Sequence, residues 1–369
     1  MTDVLVIGGG LAGWRAAQAA ARAGCSVRLV ANGVGNSPEI HALNCPVHPE
    51  DSVELFIEDT MRSGKGANDR ALVETLCRES VALKDEFPFD REPDGGYKLL
   101  HTLGASVPRC VSIGHAIGEY ALREIRRELA GKVEVVEGRV TRIDFTEARS
   151  VVLATGGWCG KYPFTTNPPY LRGDGIELAK ALGAAVRDMD VVQYEPTVAL
   201  APPRLRGIPV ITTMLFEGAT FRNAEGEEFL RDKHVNKDEM AAAVLSEIAA
   251  GRGIDGGVWY DATGVPSEVM AERYGATYAR YAAADVDISK TPMLVAPAPH
   301  TSLGGVVIDV KCRVLRPDGS PIPGLFAAGE VTGGVHGANR LGGNAGTEVL
   351  VFGRIAGNSA ADFATGRIY

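Results

Sequence analysis

The sequence predicts a Rossmann-like α/β fold interrupted by an inserted α+β capping domain, and three observations carry that expectation. The chain opens with a short apolar strand, a glycine turn and an alanine-rich helix. Two later apolar strands, at 151–157 and 324–330, end in turns of small residues. A glycine-rich texture marks residues 1–196 and returns over 291–369, whereas 197–290 are mixed. The outer stretches, 1–196 and 291–369, are therefore expected to form one domain, with 197–290 inserted as the cap.

The opening element is the most explicit. Residues 3–7 are apolar and β-branched and read as a strand. Gly8, Gly9, Gly10, Leu11, Ala12 and Gly13 follow, and 14–23 read as a helix ended by Gly24. Residues 26–31 read as the second strand, completing a βαβ unit. Residues 33–50 read as loop, 51–87 and 115–130 as helical, 133–140 and 150–154 as strands, 174–186 and 238–250 as helices.

Bulk properties bound the function. A chain of 369 residues exceeds one ordinary core. Its 45% hydrophobic and 23% charged residues are those of a soluble globular protein. A net charge of −8 without a basic block argues against a nucleic-acid partner. None of the six cysteines forms a C-x-x-C pair, so no zinc or cysteine-ligated iron–sulfur site, and no metal, is expected. Reduced thiols, no signal peptide and no apolar stretch of about 18 residues point to a cytoplasmic protein without a membrane span.

Gly8, Gly10 and Gly13 match the G-x-G-x-x-G fingerprint between a strand and a helix. The first glycine makes the tight turn, the second lets backbone approach a pyrophosphate, and the third lets helix pack on strand. The acid usual at the end of the second strand is absent; Ala31 and Asn32 stand there, and Asn32 can still bond a ribose hydroxyl. This motif alone leaves NAD and FAD open. The order of the two later segments decides for FAD. Ala154, Thr155 and Gly156 close the first, and Gly329 and Glu330 close the second, with Glu330 placed to meet a ribitol hydroxyl.

With those segments in view, the chain resembles the flavoprotein subunits of succinate dehydrogenase and fumarate reductase, with L-aspartate oxidase and soluble fumarate reductases as relatives. The most specific piece is HGANRLGGN at 336–344, continuing to VFGR at 351–354. Others are Asn167-Pro168 before Gly173-Asp174-Gly175, VQYEPT at 192–197, and His300 before Gly304-Gly305. The resemblance implies flavin contacts at Asn36, Ser37, Val140, Asn167, Gly173 and Asp174. It implies further contacts at Arg340, Gly343, Asn344 and Ala345. The loop Gly35-Asn36-Ser37 resembles that of non-covalent FAD binders, and the family's C-terminal helical domain is expected to be missing after Tyr369.

The resemblance also implies hydride exchange between flavin N5 and a carbon–carbon bond beside a carboxylate, gripped by His300 and Arg340. Four departures stand against unchanged chemistry. The family's proton-donating arginine aligns with Ala242, and the glutamate and arginine that feed it align with Thr212 and Leu215. Its substrate-binding histidine becomes Glu195, expected to repel a second carboxylate, and to serve as a base or bind a cationic group. Arg204, Arg206 and Lys237 are the cations of the inserted segment that could replace the donor. The expected function is an FAD oxidoreductase acting on a small-molecule substrate other than succinate or fumarate, one with at most one carboxylate, or an amine or hydroxy acid. The alternative is an FAD-containing electron-transfer subunit working with iron–sulfur partners.

Overall fold

The computed structural model describes residues 1–232 and 235–367, with side chains throughout except at 273, 276 and 277. The chain divides into two units. The first comprises Met1–Lys161, Asn167–Val192 and Thr301–Tyr369, and the second Tyr162–Thr166 and Gln193–His300.

In the first unit, β1 (Thr2–Ile7), α1 (Leu11–Arg22) and β2 (Val27–Ala31) form the βαβ opening. They belong to a six-stranded sheet ordered Arg313–Leu315, Pro321–Ala327, Ala148–Leu153, β1, β2, Glu134–Glu137. All neighbours are parallel except the antiparallel first pair. Val4 to Ile7 are all buried, as a parallel strand covered on both faces requires. Helices α1 and Asn344–Ala364 both pack against this sheet, and their backbones nearly touch. A Cβ at Gly357 would lie 2.2 Å from the Ala16 carbonyl oxygen, so small residues on both helices set this packing.

Some boundaries differ from the sequence expectation for local reasons. The helical stretch 51–87 is divided: Val53–Ser63 is capped by Ser52 and Arg70–Ser80 by Asp69, with the Gly64–Gly66 turn between them. The helix expected at 174–186 stops at Ala181, where Gly183 at φ +85° ends it and Val186–Arg187 forms a strand.

The second unit is built on a four-stranded sheet ordered Val192–Ala199, Met293–Ser302, Val258–Asp261, Thr220–Arg222. Its helices are Lys237–Ala249, opened by a capping box between Asn236 and Glu239, and Ser267–Ala282. The latter helix gives little signal in the sequence, because its tyrosines and glycine weaken the periodic pattern. Among the described residues, no helix is long and apolar enough to cross a membrane.

Candidate active site

The glycine turn of the first unit is shaped by backbone meeting backbone. A Cβ at Gly8 would sit 2.0 Å from the Ala154 carbonyl oxygen, and one at Gly13 2.0 Å from that of Gly8. Gly10 caps α1 with no side-chain acceptor, and the first turn carries no acid. The Leu11 N–H donates to Ser37 Oγ at 2.8 Å. The Ala12 and Gly13 amides, in the first turn, have no intrahelical acceptor, so this end of α1 is a cradle for a pyrophosphate.

Segments read separately in the sequence meet around that cradle. Asn36 Nδ2 donates to Asn167 Oδ1 at 2.6 Å, and the Gly35 N–H to the Tyr170 hydroxyl at 3.0 Å. Asn32 is exposed, and Val140 packs on the core. Thr155 Oγ1 is buried without a hydrogen-bond partner among the described residues. A Cβ at Gly175 would come within 2.1 Å of that oxygen. Gly173, at φ +83°, starts the helix Asp174–Ala181 and donates its N–H to the Gly157 carbonyl. The Asp174 carboxylate is engaged by Arg139 through two bonds of 2.7 and 2.9 Å.

Glu330 accepts from the Ser302 N–H and hydroxyl, both at 2.9 Å. Burial pushes its carboxyl above the usual range. The Ser302 bonds and Arg340 oppose that rise, and Glu348 adds to it. Ser302 is invisible to sequence reading, since a serine two residues before Gly304-Gly305 gives no signal of its own. The HGANRLGGN stretch is anchored by His336, whose Nε2 lies 2.9 Å from Glu348 Oε2, both side chains buried. Arg340 is half-buried. Gly343, at φ +87°, caps the helix Asn344–Ala364. Asn344 is clamped by Asn44 Nδ2 at 2.7 Å and donates to Thr60 Oγ1, with Ala345 half-buried beside it.

In the second unit, Glu195 is 4% exposed and its partners are both cationic and neutral. Oε1 accepts from the Thr212 hydroxyl at 2.9 Å, and Oε2 pairs with Lys237 Nζ. Thr212 Oγ1 also lies 2.8 Å from Thr197 Oγ1. Burial alone would push the Glu195 carboxyl up. The Lys237 ammonium, His300 and the bonds from Lys237 and Thr212 outweigh burial and hold it below the usual range. Glu195 is thus a carboxylate whose charge is compensated inside this unit. His300 Nδ1 stands 2.8 Å from Thr166 Oγ1.

The inserted helix decides which cation serves Glu195. Met240, Ala241 and Val244 form its buried face, and Lys237 lies one turn before Ala241 on that face, whereas Ala242 is exposed. Arg204 is paired with Asp285, and Arg206 stacks on Phe164 at 4.8 Å. Thr212 is held from behind. The Tyr260 hydroxyl donates to the carbonyls of Ile211 and Thr212 at 2.9 and 3.2 Å, and the Tyr281 hydroxyl to that of Pro209 at 2.6 Å.

Comparison with known proteins agrees with this geometry. The FAD binding domain family matches residues 3–103 and 89–345. The chain belongs to this family, among the succinate dehydrogenase/fumarate reductase flavoproteins. It is an FAD-dependent oxidoreductase. One subunit of the fumarate reductase (CoM/CoB) of Methanothermobacter marburgensis is 37% identical, across 97% of this chain and 72% of that protein. L-aspartate oxidase of Caulobacter vibrioides is 32% identical, across 98% and 77%. Among solved structures, Mycobacterium smegmatis Sdh1 in complex with UQ1 superposes with a TM-score of 0.84 at 31% identity, covering 99% of this chain and 69% of that one. The glycine contacts, the Ala12 and Gly13 amides at the start of α1 and the Thr155 hydroxyl, which has no partner among the described residues, fit the FAD that these relatives imply.

Proposed function

We propose that this FAD-dependent oxidoreductase acts on a substrate other than succinate or fumarate, carrying at most one carboxylate, or on an amine or hydroxy acid. The observation that carries the reading is the Glu195–Lys237 pair. Where the family motif has a histidine to bind a second carboxylate, this chain has a carboxylate, and the nearest cation is committed to it. FAD, when bound, supplies hydride exchange at N5. His300 and Arg340 are the residues assigned to grip a single carboxylate, a planar fork and an imidazole being suited to it. Residues 197–290 are assigned as the capping domain. The pyrophosphate is assigned to Gly10, Ala12 and Gly13, and the ribitol to Glu330.

The cofactor is proposed to be held without a covalent link. His41, the histidine nearest the loop in question, is exposed and engages the His115 carbonyl through Nδ1. Acid precipitation is expected to release FAD into the supernatant; yellow colour retained in the pellet would contradict this. The substrate reading is tested by an anaerobic screen of flavin absorbance against monocarboxylates, 2-hydroxy acids, amines and succinate. Bleaching by a member of the first three classes and none by succinate is expected. Bleaching by succinate would overturn the reading.

A second reading draws on the 37% identical relative being one component of a multi-subunit fumarate reductase. In it the chain relays electrons within a complex with an iron–sulfur partner. His300→Ala and Arg340→Ala variants that leave partner-linked electron transfer untouched would favour this relay. Six buried cysteines, none in a disulfide, support a reducing compartment such as the cytoplasm.

A further inference from the structure

We propose that Lys237 is the acid–base residue of this site, donating the proton that completes reduction of a carbon–carbon double bond. This rests on the substrate reading above. The motif position for the donor, Ala242, is a methyl group on an exposed face of its helix. Lys237 extends from the buried face of the same helix, and its Nζ meets Glu195. The Lys237 side chain is about one-third exposed while Glu195 is nearly sealed, so one partner is fixed and the other side chain is open to solvent along part of its length. That combination suits a donor that must be oriented and then refilled.

Lys237 has further support around it. Glu195 is itself fixed by Thr212, Thr212 by Thr197, and the 209–212 segment by Tyr260 and Tyr281. Among the described residues, the titratable groups on other segments that couple to Glu195 are His300, Tyr260 and Tyr281. Arg204 and Arg206, the other cations considered, face Asp285 and Phe164 instead.

FAD, when bound and reduced, would supply two electrons and one hydrogen as hydride to one alkene carbon of a 2-enoate. The other carbon takes a proton from Lys237 Nζ as the π bond breaks. Lys237 is left as the neutral amine and regains its proton from water on its exposed side. Glu195 remains ionised throughout and holds the ammonium in place. The chemistry needs one carboxylate to activate the alkene, which a monocarboxylic enoate supplies.

The test uses purified holoenzyme with reduced methyl viologen as electron donor, and crotonate, acrylate and cinnamate as probes. Wild type is expected to reduce at least one of the three. Lys237→Met is expected to lose about 10²–10⁴-fold in kcat with little change in KM, at unchanged flavin content. Lys237→Arg should restore part of the rate and shift the alkaline limb of the pH–rate profile upward, whereas Lys237→Met should lack that limb. A substrate-independent arm reads infrared difference spectra across a pH titration. In Lys237→Met the titration of a carboxyl band should lie at higher pH than in wild type, and that band should be missing from Lys237→Met/Glu195→Gln, because burial of Glu195 is then opposed by one cation fewer. A carboxyl titration that Lys237→Met leaves unmoved overturns the pair on which the proposal stands. Lys237→Met retaining wild-type rate within tenfold, with its alkaline limb intact, overturns the role of Lys237 alone. Wild type inert towards all three enoates overturns the proton-donor role, whereas the substrate reading itself stands or falls on the anaerobic flavin screen.

Discussion

Gly10→Val is expected to give folded protein that carries no flavin. The backbone at Gly10 is extended, with φ −74° and ψ 178°, a conformation that a β-branched residue adopts without strain. The fold should therefore survive. The side chain is what the site rejects. Even a Cβ would approach Ser37 Oγ to 3.0 Å and the Val34 carbonyl oxygen to 3.4 Å, and the two valine methyl groups extend further. They would push away the hydroxyl that holds the Leu11 N–H and fill the space in front of the Ala12 and Gly13 amides. A loss of at least about 10³-fold in FAD affinity, roughly 4 kcal/mol, is expected. Flavin-to-protein absorbance ratio and FAD titration of apoprotein, with circular dichroism as the fold control, check it. Normal flavin content would show that the pyrophosphate lies elsewhere. Gly8 differs, because at φ +126° and with a Cβ 2.0 Å from the Ala154 oxygen, substitution there strikes the fold first.

Arg109→Ala is expected to destabilise the first unit by about 3–5 kcal/mol, a large share of the roughly 5–15 kcal/mol that a domain has. Arg109 is fully buried, as are the side chains of Asp51 and Asp59, its two partners. It bonds Asp51 through Nε and Nη2 at 3.1 and 2.9 Å and meets Asp59 at 2.8 Å, with its guanidinium over the Phe56 ring. Removing the cation leaves two carboxylates sealed together without it. The consequence reaches the cofactor site, because Asp59 and Thr60 lie on the helix Val53–Ser63, and Thr60 accepts from Asn344 at the start of the last helix. Chemical denaturation of the holoprotein measures the loss. Adding Asp51→Asn to Arg109→Ala should recover part of it. A loss under about 1 kcal/mol for Arg109→Ala would mean that the three charges do not depend on one another.

The contrast between these two sites also marks what the sequence discloses. The turn at Gly8–Gly13, the Ala154–Gly156 and Gly329–Glu330 turns and the HGANRLGGN stretch are legible because each requirement is local. A glycine is needed where backbones touch, and its neighbours in the chain supply the strand and helix. The Asn36–Asn167 bond, the Asp51–Arg109–Asp59 cluster and the Asn44 clamp on Asn344 join segments far apart in sequence, and no spacing rule announces them. The second unit shows the same limit in a functional form. Reading position by position finds Glu195 in place of a histidine and Ala242 in place of a donor, and treats Thr212 as a break in a relay. The folded unit turns these into one arrangement, with Thr212 donating to Glu195 and Lys237 supplying the cation from a turn earlier on the helix.

If the flavin chemistry persists while the dicarboxylate specificity has gone, fumarate should be a poor substrate. The most direct test is fumarate reduction by reduced viologen at flavin-normalised concentration, with crotonate alongside. A dicarboxylate needs a donor set at each end, and here Lys237 is committed to Glu195 where the motif has its second anchor. Turnover of fumarate well below about 1 s⁻¹, the low end of ordinary enzyme rates, is the expected result, with crotonate reduced faster. Fumarate turnover at or above that rate, and above that of crotonate, would contradict the loss of dicarboxylate specificity.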